Sequence, residues 1–246
     1  MATTRRKLPG TLLPREGNLS DRIYAEVRQR LQLAPLGPED RLIDLEVAEA
    51  YGTSRMPARD ALLRLANEGY LVGTTRGFVV PTLTPDDVRE IFEVRRLLEP
   101  QAIASVARTI DAAAIEELSQ ALLRARKAAS DQDGDEMMQA NMAFRRAWLS
   151  RVGNQRLAAT IARFVDHVQT VRLHTLSDAE ARKVVMDGLE FLYAALLNRD
   201  EAQARARMTD FIVAAEHAFF SIRRTEIEEA DSAAPPAVST PREFAE

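Results

Sequence analysis

The sequence predicts a mainly α fold in two parts: three N-terminal helices with a small β hairpin, then a C-terminal all-α helical bundle. Three observations lead there. The chain is 246 residues long, enough for two domains when single domains most often hold roughly 100–150 residues. Glycine contributes only 10 residues, whereas alanine, leucine, arginine and glutamate, which enter helices at least cost, are abundant. Strand-favouring residues gather in one stretch, 70–80, where two β-prone runs flank a glycine-containing tip.

Composition narrows the functional classes. Hydrophobic residues make up 46% and charged residues 28% of the chain, which serves both a core and solubility. Cysteine is absent, excluding disulfides, thiolate zinc sites and a cysteine nucleophile. No run approaches the ~18 apolar residues of a membrane span, and the opening MATTRRKLPG lacks the apolar segment of a secretory signal. A cytoplasmic protein with no membrane partner is the expectation. The net charge of −4 is uneven: residues 1–81 hold 12 Lys and Arg against 10 Asp and Glu, the remainder 21 against 27. That asymmetry directs any nucleic-acid contact to the front of the chain.

Residues 1–18 include Arg5, Arg6, Lys7, Pro9 and Gly10 without sustained periodicity, and read as a flexible, mildly basic arm. From Ser20 to Leu33, Ile23, Val27 and Leu31 recur at helical spacing until Pro35-Leu36-Gly37-Pro38 ends the helix. Leu45–Tyr51 is a short helix closed by Gly52. A second helix runs from Ser54 or Arg55 to about Asn67 and is closed by Gly69, so the pair forms a helix-turn-helix. Tyr70-Leu71-Val72 and Phe78-Val79-Val80 then form a hairpin, or wing, around a basic Gly73–Gly77 tip. These elements make up a domain over residues 19–81.

Thr84-Pro85-Asp86-Asp87 opens a second domain, 82–229, with a capping threonine, a first-turn proline and acids at the positive helix end. Breaks near 110–111, 131–134, 153–154, 175–178 and 198–200 divide it into six helices. Ser177 with Glu180 and Asp200 with Gln203 resemble capping boxes. Residues 230–246 turn to Asp, Ser, Ala and Pro and read as a disordered tail.

Within the helix-turn-helix, Ala61, Leu62 and Leu65 supply an inward face, while Arg55 and Arg59, four apart, project together. Such a face can enter a major groove, where arginine bonds guanine bidentately or grips phosphate. The run Ser54-Arg55-Met56-Pro57-Ala58-Arg59-Asp60-Ala61-Leu62, with Leu65-Ala66-Asn67-Glu68-Gly69 and Arg76-Gly77 after it, resembles the GntR family of regulators over residues 20–81. The resemblance implies a winged helix-turn-helix that contacts double-stranded DNA through Ser54, Arg55, Met56, Arg59, Arg64, Arg76 and Gly77. It also implies a homodimer on a two-fold symmetric operator.

Residues from Thr84 to about Arg224 resemble the FCD effector domain of the FadR subfamily. The marks are Phe92 to Glu99, Asn141 with Phe144-Arg145, Val152-Gly153-Asn154, and Ala195-Leu196 with Asp200 and Met208. Many FCD domains hold a metal through an Asp or Asn and three His. Here Asn141, Arg145, Leu189 and Phe211 stand at those positions, and the three histidines, 167, 174 and 217, lie elsewhere. Because Leu, Phe and Arg offer a cation no lone pair, no metal and no other cofactor is expected.

Two helical stripes, Ile91-Phe92-Arg95-Leu98-Ala102 and Asn141-Phe144-Arg145-Trp148, would aim two arginines into the bundle. Buried arginine must be paired, by an internal carboxylate such as Glu99 or by a ligand anion. The ligand anion is the favoured expectation: a carboxylate or phosphate-bearing metabolite held by Arg95, Asn141 and Arg145. The whole then reads as a sequence-specific DNA-binding regulator, a repressor by preference, controlled by that metabolite. The alternative is a ligand-independent dimeric DNA-binding protein whose pocket is closed by Leu189 and Phe211. No Ser/His/Asp arrangement or phosphate loop supports an enzyme.

Overall fold

The computed structural model describes residues 18–33, 40–167, 175, 176 and 178–233, with backbone alone at 165–167 and 226–233. Residues 1–17 of the expected arm, the proline-rich break at 35–38, Ser177 and residues 234–246 of the expected tail lie outside the described residues. The N-terminal unit contains α1 (Leu19–Leu33), α2 (Asp44–Ala50), α3 (Arg55–Asn67), β1 (Val72–Thr74) and β2 (Gly77–Val79). Its core joins Ile23 and Val27 of α1, Val47 of α2, Ala58, Leu62 and Leu65 of α3, and Leu71. Three helices thus close over the single apolar stripe that each presents.

The turn between α2 and α3 is fixed by the backbone. The Gly52 amide donates to Glu49 and the Thr53 amide to Ala48, the paired bonds of a Schellman turn that use carbonyls the helix end leaves open. The same arrangement ends α3, with the Gly69 amide on Ala66 and the Tyr70 amide on Leu65.

The hairpin's strands lie elsewhere than the expected runs 70–72 and 78–80. Tyr70 and Leu71 are core residues ahead of the strands, and β1 and β2 pair Val72 with Val79, Gly73 with Phe78 and Thr74 with Gly77. The tip shortens to Thr75-Arg76 because the Thr74 hydroxyl donates to the Gly77 carbonyl and accepts from the Arg76 amide. Leu42 pairs with Phe78 through two backbone bonds of 2.8 and 2.9 Å, which anchors the wing to the chain ahead of α2.

The C-terminal unit contains α4 (Pro85–Thr109), α5 (Ala112–Asp131), α6 (Gly134–Leu149), α7 (Gln155–His167), α8 (Ala179–Leu197) and α9 (Glu201–Ala233). Thr84 caps α4 as expected, and Asp87 turns that cap into a capping box by accepting from the Thr84 amide. Asp178, one residue beyond the expected Ser177, caps α8 by accepting from the Ala181 amide. Asp200 accepts from the Gln203 amide at the start of α9. That last helix continues through Ala233, four residues past the expected limit, since Glu and Ala carry a helix that the local polarity suggested would end. Phe92, Ile103, Leu118, Met137, Phe144, Trp148, Leu189 and Met208 share one continuous core, which brings α4, α6, α8 and α9 together around the interior described below.

Gly77 is held at φ 120°, and a Cβ there would lie 2.7 Å from the Leu42 carbonyl oxygen. That oxygen belongs to the backbone and is held in the Leu42–Phe78 pairing, so it cannot give way as a flexible side chain would. Gly77→Ala is expected to destabilise the N-terminal unit by about 1–3 kcal/mol, read as a lowered urea midpoint, whereas Gly73→Ala, whose Cβ meets only a Phe78 ring atom at 3.8 Å, is expected to cost less.

Candidate effector site and nucleic-acid interface

The N-terminal end of α3 is open. Ser54 occupies its N-cap without a side-chain bond to the helix, Met56 is 68% exposed, and the Arg55 and Arg59 side chains are each 61% exposed. Both arginines lean toward Asp44 at the start of α2. One Arg55 terminal nitrogen lies 3.0 and 3.1 Å from its two carboxylate oxygens, and Arg59 comes within 3.9 Å. Asp44 therefore holds two exposed cations over one face. It was not singled out in the sequence because it precedes Arg55 by 11 positions and belongs to another helix.

Arg76 sits exposed at the wing tip, while Gly77 next to it serves the close approach to Leu42. Arg64 has a tertiary role instead. It pairs with Asp21 at 2.9 Å and Glu68 at 3.2 Å, and its guanidinium carbon lies 3.9 Å from the centre of the Tyr24 ring, whose hydroxyl also donates to Glu68. Five positions after Arg59, it points about 140° away around the helix and binds α3 to α1.

Inside the helical unit, Glu99 on α4 is fully buried and accepts from two arginines. Arg95 Nε donates to one oxygen at 2.7 Å, and Arg145 Nη1, from α6, donates to the other at 2.7 Å. The internal carboxylate that the sequence left open is thus present. Burial works to raise the Glu99 pKa, but the adjacent Arg145 and Arg95 charges outweigh it and hold the group at about 2. The three residues together carry one net positive charge.

A cavity of about 40 Å³ adjoins this cluster, and Arg95 and Asn141 line it together with Phe92, Phe211 and Phe219. Arg95 is 3% and Asn141 4% exposed. Glu99 takes only the Nε edge of Arg95; among the described residues no group bonds its two terminal nitrogens, and none bonds the Asn141 amide. Arg145 is not among the lining residues. The expected two-arginine clamp is accordingly one arginine at the wall and one behind it, because Glu99 stands between them.

Phe211 fills the place expected to have lost a histidine. Its ring lies flat on α8 at Gly188, where an added Cβ would overlap three ring carbons, and the neighbouring Leu189 is buried in the core. No group of three or more His, Asp and Glu is placed to hold a metal among the described residues. His217 is exposed on α9, and the side chains of His167 and His174 lie outside the described residues.

A winged helix-turn-helix joined to a helical bundle with an interior polar site defines a two-domain architecture. The chain belongs to the GntR family of bacterial regulatory proteins: the gntR-family model matches residues 19–80 and the FCD domain model residues 90–214. It is 30% identical over 141 residues to the HTH-type transcriptional regulator McbR of Escherichia coli K12, and 34% identical over 97 residues to the uncharacterized HTH-type regulator YdhC of Bacillus subtilis 168. Those matches cover 57% and 39% of this chain, and 64% and 42% of the relatives' lengths. In structure it is similar to E. coli McbR/YncC, with a TM-score of 0.73 at 24% identity over 84% of this chain and 99% of the other. A GntR protein from Rhodococcus sp. RHA1 gives 0.68 at 19% identity, over 82% and 97%. These are relatives in a regulator family, not an enzyme family, and no described helix is long and apolar enough to cross a membrane.

Replacing Glu99 leaves two buried guanidinium groups facing each other, so Glu99→Gln is expected to cost about 3–5 kcal/mol of stability, measured by urea unfolding. The pH dependence has a fixed sign. With the folded pKa lowered from 4.5 to about 2, the contribution of Glu99 is complete above pH 4.5 and is lost as pH falls toward 2. Wild type minus Glu99→Gln stability is expected to shrink across that window.

Proposed function

We propose that the protein is a cytoplasmic, sequence-specific DNA-binding regulator that acts as a homodimer on a two-fold symmetric operator and responds to a small anionic metabolite. The observation that carries this reading is the open N-terminal end of α3, where Ser54, Arg55, Met56 and Arg59 form one exposed face. A recognition helix meets base edges through its N-terminal residues, and Asp44 orients the two arginines beforehand. Arg76 at the wing tip supplies a phosphate or minor-groove contact beside it. Gly77 contributes the wing's geometry, and Arg64 the packing of α3 on α1.

The effector half of the proposal rests on Arg95 and Asn141, whose remaining donors face an interior cavity. Arg145 acts through Glu99, by cancelling its charge and leaving the cluster positive. Repression is the preferred sign of regulation, with the anion repacking the bundle and releasing the operator. A ligand-independent regulator is the second reading. It is favoured by the modest cavity volume, about 40 Å³ against roughly 300–1,000 Å³ for ordinary ligand pockets.

Selection of bound sequences from a random duplex library tests the DNA-reading proposal. Wild type is expected to enrich a two-fold symmetric consensus, and Arg59→Ala to lose about 1–3 kcal/mol on that sequence. Arg64→Ala should keep the consensus while melting earlier. Enrichment of nothing by wild type, or an Arg59→Ala variant that selects the same consensus with equal affinity, would contradict it.

A further inference from the structure

The anionic effector proposed above can be narrowed by three features of the same interior, and the inference rests on that reading. The first is charge. Arg95, Arg145 and Glu99 sum to one positive charge, all three at most 6% exposed. One negative charge on a ligand neutralises the cluster, whereas a second would be buried without a partner. The second is the lining. Beyond Arg95, Asn141 and Thr175, the cavity wall is apolar and includes the rings of Phe92, Phe211 and Phe219.

The third feature is the outlet. Ala181, Val184 and Ala218 line both the cavity and an open groove of about 1030 Å³ between the start of α8 and the middle of α9. Asp178, Glu180 and Asp210 line that groove, with His217 beside them. A ligand reaching outward from Arg95 therefore passes apolar walls and then meets carboxylates, which oppose a second anionic group at its far end. The cavity itself holds little more than a carboxylate head, given that one water needs roughly 10–15 Å³ by a comparable measure.

We infer that the site takes a monocarboxylate with an apolar body, a short aliphatic or simple aromatic acid. Its carboxylate is held by the terminal nitrogens of Arg95 and by the Asn141 amide. Its body passes Ala181, Val184 and Ala218 into the groove, where Val213 and Ile222 continue the apolar wall. A dicarboxylate or a phosphate ester fits this arrangement less well, because each brings a further negative charge that the cluster leaves uncompensated and the groove's carboxylates repel.

Calorimetric titration and thermal melting of the full chain with hexanoate, benzoate, succinate and inorganic phosphate test the inference. Hexanoate and benzoate are expected to bind and raise the melting temperature, with succinate and phosphate at least about tenfold weaker. Arg95→Met should weaken hexanoate by about tenfold or more. Ala218→Trp, which keeps the charge cluster and fills the outlet at a half-buried position, should do the same while leaving the helical circular dichroism unchanged. It carries the test if Arg95→Met does not fold. Tight, Arg95-dependent binding of succinate or phosphate in place of hexanoate would overturn the monocarboxylate class and leave the anion site standing. No binding by any probe, or hexanoate binding indifferent to both substitutions, would overturn the class and the anion site together.

Discussion

A carboxylate that never meets water organises the larger half of this protein. Taking Glu99, Arg95 and Arg145 out of solvent carries a large desolvation cost, which is offset only when the charges bond each other with good geometry. Two 2.7 Å bonds to opposite oxygens of one carboxylate meet that condition. They also join α4 to α6 and impose a stoichiometry of two cations to one anion. Removing any one member changes the charge of the interior, so packing and binding chemistry are set by the same three residues. The aromatic neighbours support the arrangement: Phe92 lies 5.0 Å from the Arg95 guanidinium carbon and Trp148 5.8 Å from that of Arg145, each offering a π face to a cation short of water.

The arginines of this chain divide by what surrounds them. Those of the open α3 face are more than half exposed and, among the described residues, pair only with Asp44, which leaves their donors available to a polyanion. Arg64, only five positions further, is claimed by Asp21, Glu68 and Tyr24. Arg95 stands between these cases, buried like a structural residue but with one edge turned to a cavity. Residue type alone does not separate the three situations; the number of carboxylates within reach does.

Much of the architecture was legible because it is written locally. Capping by Thr84 with Asp87, the glycines after α2 and α3, and the inward stripes of α4 and α6 are short-range signals, and the elements form where those signals lie. Arg95, Asn141 and Arg145 were placed in the interior by period alone. What period could not show was which arginine faces space and which faces Glu99, since Arg145 and Glu99 are 46 positions apart and meet only through helix packing. The same limit hid the Asp21–Arg64 pair and the seating of Phe211 on Gly188. The strand bounds were missed for a different reason: a threonine hydroxyl tightened the hairpin tip, and Tyr70 and Leu71 were taken by the core although their propensity is for strand.

Sensing and DNA reading become one function only if occupation of the bundle changes the affinity of α3 for its operator, and such coupling must be reciprocal. Fluorescence anisotropy of a labelled operator duplex, titrated with wild type and with Arg95→Met in the presence and absence of saturating hexanoate, measures it directly. The account predicts a shift in operator affinity of roughly 5- to 150-fold for wild type and none for the variant. An operator affinity in wild type that is the same with and without bound hexanoate would contradict it.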